Sequence, residues 1–112
     1  MGIGEKALGL GGNRLRRTKL VTVTIGEGAV TFELRQPTIA DRDKMLAETD
    51  LGKRIVASVI ACAFDPETGE RAFKSDAKDV LLEQPANSWV DELGKVALEL
   101  VKPVEVTEQG KG

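Results

Sequence analysis

Ile55 to Phe64, reading Ile-Val-Ala-Ser-Val-Ile-Ala-Cys-Ala-Phe, is a run without charge, proline or glycine in an otherwise heavily charged chain. At about 100° per residue, a helix puts Ile55, Val59 and Cys62 on one face, and Val56, Ile60 and Ala63 continue it. Ala57 and Ala61 fall near the back, so only small side chains interrupt the apolar surface. A helix that is apolar almost all round sits inside a fold or between subunits. The run is too short for a bilayer, which needs roughly 20 residues. Its Val and Ile content also suits a strand. The alanines, Cys62 and the continuation back to Leu51 favour a helix, which becomes the expected centre of the fold.

The chain has 112 residues, enough for one small domain with a thin core. Apolar residues make up 41% and charged residues 30%, the balance of a soluble globular protein. Aromatics are only 4%, which argues against stacking on bases or sugars, and the net charge of −2 gives no general attraction to nucleic acid or an anionic membrane. There is no histidine, so the commonest general base and metal ligand are both missing. Cys62 is the single cysteine, which excludes an intrachain disulfide and fits a reducing, intracellular setting. Inside an apolar run it reads as a small buried hydrophobe rather than a reactive thiol.

The pattern divides into an arm over 1–19, one α+β domain over 20–101 and a tail over 102–112. The arm is rich in glycine and carries Arg14, Arg16, Arg17 and Lys19; it is expected to be flexible, with the arginines solvated or docking an acidic partner. It lacks the Lys-Ser/Thr ending of a phosphate-binding loop. Leu20 to Ile25 alternates, with Val21, Val23 and Ile25 on one face. Ala29 to Arg35 answers with Val30, Phe32 and Leu34. The Gly26-Glu27-Gly28 turn between them predicts a β-hairpin, followed by a mainly helical body of about four helices.

Pro37 stops the second strand, and Thr38 with Asp41 forms a capping box that starts a helix at Ile39. Asp50 is placed to cap the central helix. Asp65-Pro66-Glu67-Thr68-Gly69-Glu70 reads as a turn, because it lacks the alternating oxygen ligands of a calcium loop. Phe73 is expected to bring the chain back to the core. Ser75 starts a short helix that Pro85 ends. Asn87 or Ser88, with Asp91 as the acidic third residue after Ser88, starts the last one, on which Trp89, Leu93, Val96 and Leu100 share a face flanked by Val90, Ala97 and Val101. The tail is polar and expected to be disordered.

No set of residues carries bond-making chemistry. The triad and zinc arrangements have no parts, and the carboxylates lie on amphipathic helix faces. By elimination the chain is a non-enzymatic binding or assembly protein, with no catalytic, cofactor-binding or metal-binding residue and no cofactor.

The order of pieces resembles the tail assembly chaperones of long-tailed bacteriophages and related prophages. The likeness is carried by Val30-Thr31-Phe32-Glu33-Leu34-Arg35 followed by Gln36-Pro37-Thr38-Ile39-Ala40-Asp41. It continues through the apolar helix running into Asp65–Glu70, then Phe73, the 76–82 helix and the closing helix to Val101. The glycine- and arginine-rich start departs from it. The resemblance implies a cytoplasmic protein, absent from the mature virion, that shields the tape-measure protein during tail assembly. It also implies a longer product made by ribosomal frameshifting, for which Gly110-Lys111 is compatible with a slippery GGGAAA-type codon pair. Partner contact is assigned to the flank Val90, Ala97 and Val101, which also offers a route to self-association. Contact with membrane or nucleic acid is not expected. The alternatives are a structural protein of the tail or head–tail joint, and a small nucleic-acid-binding regulator using the arginine-rich arm.

Overall fold

The computed structural model describes residues 2–9 and 16–102. In chain order the elements are α1 (Ile3–Gly9), β1 (Thr18–Ile25), β2 (Gly28–Arg35), α2 (Ile39–Ala47), α3 (Leu51–Cys62), β3 (Ala63–Phe64), α4 (Lys78–Leu82) and α5 (Trp89–Val101), with a 3-10 turn at Ser75–Ala77. The class is α+β: a short N-terminal helix, a β-hairpin, and a mainly helical body. Arg14, Gly11 and Gly12 of the arm and the tail beyond Lys102 lie outside the described residues.

The hairpin forms as its alternation dictates. Ile25 pairs with Gly28 across a Gly26-Glu27 loop, and Gly26 takes φ +61°, a conformation that favours glycine. Val23, Phe32 and Leu34 are buried, while Thr22 and Thr31 pair on the outer face with their hydroxyls 2.7 Å apart. Thr38 Oγ1 accepts the Asp41 N–H at 3.1 Å, so the capping box starts α2 where its residues place it.

The apolar run does not stay helical to its end. The helix stops at Cys62, and Ala63 and Phe64 turn into a strand that pairs with Leu34 and Glu33 of β2. This completes a three-stranded antiparallel sheet in the order β1-β2-β3. A two-residue strand has no periodicity of its own; its existence depends on the free edge that β2 offers. Asp65 then closes the turn. Its Oδ1 accepts the Glu67 N–H at 2.8 Å, its carbonyl accepts the Gly69 N–H at 2.8 Å, and Gly69 takes φ +78°. No calcium-loop geometry is involved.

The core lies where α3 and α5 cross and where α5 lies against the hairpin. Leu34, Met45, Val59, Cys62, Leu93 and Ala97 are all inaccessible to solvent. Ser58 is buried among them because its hydroxyl donates to the Arg54 carbonyl at 2.7 Å, one turn back. Phe32, Phe73 and Trp89 form a triangle of rings with centroids 5.8 to 6.3 Å apart, so Phe73 does anchor the returning chain.

Candidate functional site

A surface depression lies between α2, α3 and the segment from Arg71 to Lys78. It is an open groove of about 450 Å³. Met45, Ala57, Ile60, Ala61 and Phe73 form its apolar floor. The floor exists because α2 presents few large side chains and α3 presents alanine on this side. Its rim is charged: Lys44, Arg71, Lys74 and Lys78 stand against Asp41 and Glu48.

The two acids are already engaged. Asp41 meets the Arg71 guanidinium at 3.3 Å, and Glu48 lies 3.9 Å from the Lys78 ammonium. Arg71 has a further task. Its Nη1 donates to the Ile60 and Ala61 carbonyls at 3.2 and 3.0 Å, covering acceptors that the end of α3 leaves open. Among the described residues no carboxylate pairs with Lys44 or Lys74. An apolar trough with spare positive charge on its rim can hold a segment of another chain. No group of three or more potential metal ligands occurs among the described residues.

No family model matches the sequence, and no curated protein matches it. Among solved structures the chain is similar to the tail assembly chaperone of bacteriophage HK97. The TM-score is 0.55 and the identity 22%, over 90% of this chain and 100% of that one. The chain shares the fold of that protein.

In this fold the flank assigned to partner contact is mostly covered by the chain itself. Val90 is 5% exposed and Ala97 0%; Val101 is only half-buried. The wide apolar arc of α5 is real, but two layers of the same chain cover it, α3 on one side and β1 and β2 on the other. The large apolar side chains that do reach solvent are scattered, and include Ile39, Leu46, Leu51 and Val80.

The arginines of the arm also differ from expectation. Arg17 Nη2 donates to the carbonyls of Leu100 and Lys102 at 2.7 and 2.8 Å, capping the C-terminal end of α5. Arg16 Nε donates to the Gln36 carbonyl at 2.7 Å, and its guanidinium lies over the Phe64 ring. Both are part of the body rather than a solvated patch. Cys62 is inaccessible, and burial pushes its thiol up from 9.0 to about 12, against a smaller opposing pull from Arg16. No helix among the described residues is long and apolar enough to cross a membrane.

The groove is the feature that sequence reasoning missed. Its floor comes from three segments, and no single one carries a recognisable stripe on that side. The available signal was the pair of lysines, Lys74 and Lys78, spaced by four around Ser75.

Proposed function

We propose that this chain is a tail assembly chaperone, a non-enzymatic protein that binds a tail protein while a phage or prophage tail assembles. Its client on this reading is the tape-measure protein, its place of work is the host cytoplasm, and it leaves before the virion matures. The observation that carries the reading is the likeness of the whole body to a chaperone of that name, over 100% of that chain. The groove adds support, because a chaperone needs accessible apolar surface and releasable contacts, and an open trough with a charged rim supplies both. The internal bonds of Arg16 and Arg17 weigh against the nucleic-acid alternative, which needs them free.

Co-expression of the tagged chain with a tape-measure protein of the same phage or prophage provides the test. The expected result is co-purification of the two and a larger soluble fraction of the client. Mass spectrometry of purified particles should then lack this chain. Stoichiometric presence in the particle would replace the chaperone with a structural component of the tail or head–tail joint. The frameshifted longer product belongs to the same proposal. Gly110-Lys111 lies outside the described residues, and the codons there decide it: a pair unable to re-pair after slippage removes the idea.

A further inference from the structure

We propose that the groove between α2, α3 and the 71–78 segment takes an amphipathic helical segment of the client, one whose apolar anchors are flanked by Asp or Glu. This rests on the chaperone reading and adds the site and the chemistry of what it holds. The partly exposed floor of Ala57, Ile60 and Phe73 asks for apolar side chains at helical spacing. The rim determines the flanks. Four cations face two carboxylates, a local excess of +2 on a chain whose net charge is −2. Asp41 and Glu48 already hold Arg71 and Lys78, which leaves Lys44 and Lys74 as the rim charges without a partner among the described residues. Both are exposed and belong to different walls, Lys44 to α2 and Lys74 to the segment before the 3-10 turn. A helix lying between them meets positive charge on two sides. Acidic flanks gain from that field; basic flanks are repelled.

The groove has a built-in reporter. Trp89 is the single tryptophan and packs 6.0 Å from Phe73, which forms part of the floor. Occupancy of the groove should therefore alter its emission. The probes are two synthetic helical peptides of about 15 residues, with leucines at i, i+3, i+4 and i+7 and either Glu or Lys on the flanks. The expected result is that the Glu peptide binds, shifts Trp89 emission, and loses affinity with rising salt, while the Lys peptide binds at least about tenfold more weakly. Lys44→Glu/Lys74→Glu changes only exposed side chains and should reverse that preference with an unaltered thermal transition.

Equal binding of both peptides, or a preference that survives the double reversal, would overturn the proposal. So would a concentration-dependent dimer that the double variant abolishes, because the occupant would then be a second copy of this chain. Capture of the tape-measure protein is scored separately. Wild type and double variant capturing it equally would sink the groove and leave the chaperone intact. Failure of wild type to capture it would sink the chaperone and leave the peptides to judge the groove.

Discussion

At the scale of single residues, all the described arginines except Arg42 make contacts that hold the body together. Arg17, Arg54 and Arg71 each donate to main-chain carbonyls at or near a helix end, and Arg16, Arg35 and Arg71 surround the ring of Phe64 at 5.6, 4.1 and 5.3 Å. A planar guanidinium combines five donors in a fixed fork with a flat face that stacks on a ring, a combination a lysine lacks. Arg17→Ala leaves the Leu100 and Lys102 carbonyls without their donor, and should lower stability by about 1.5–3 kcal/mol in urea unfolding. Lys19→Ala, two residues on and exposed, should stay within about 0.5 kcal/mol. Cys62 makes a prediction of the opposite kind, in pH. Its folded pKa is raised from 9.0 to about 12, so both states keep the proton below pH 9 and the thiol's packing contribution is intact. Between those values the unfolded chain ionises and the folded one does not, and stability falls as pH rises, by at most about 1.4 kcal/mol per pH unit. The advantage of wild type over Cys62→Ala should therefore shrink between pH 8 and pH 10.5 in paired urea titrations. A constant gap would mean the thiol ionises freely in the fold.

At the scale of elements, the crossing of α3 and α5 depends on an absent side chain. A methyl group placed on Gly94 would run into Ile55 Cγ2 and come within 3.2 Å of the Ile55 Cβ and carbonyl oxygen. Those atoms belong to the main chain and a β-branched residue, so they have little room to yield. Alanine at 94 gains about 1 kcal/mol of helix propensity, but the clash should outweigh it. The expected outcome for Gly94→Ala is a net loss of about 1–2 kcal/mol, and for Gly94→Val a larger one, read from thermal melts followed by circular dichroism. A stabilised Gly94→Ala would show that the two helices are free to separate. Val90→Asp belongs with these: it buries a charge in the same layer and should cost the cooperative transition itself.

At the scale of the molecule, what the amino-acid order revealed was what neighbours in sequence decide. Alternation in Leu20–Ile25 and Ala29–Arg35, the Thr38–Asp41 cap and the Asp65–Gly69 turn each depend on residues a few positions apart, and each forms as its pattern implies. β3 was hidden because its two residues extend an apolar helix and become a strand only through β2. Gly94 was hidden because its neighbour is Ile55. The flank of Val90, Ala97 and Val101 is apolar as its period implies, and the burial of Val90 and Ala97 was hidden, since periodicity tells which side of a helix is buried but not how many layers bury it. The groove is a property of three segments brought together, and its rim charges look in sequence like any solvated helix face.

The clasp from Arg17 to Leu100 and Lys102 joins positions 83 and 85 residues apart. Entry to and exit from the body therefore share one corner. Such a unit can hang from a longer polypeptide like a bead on a thread, adding little to the span between whatever precedes and follows it.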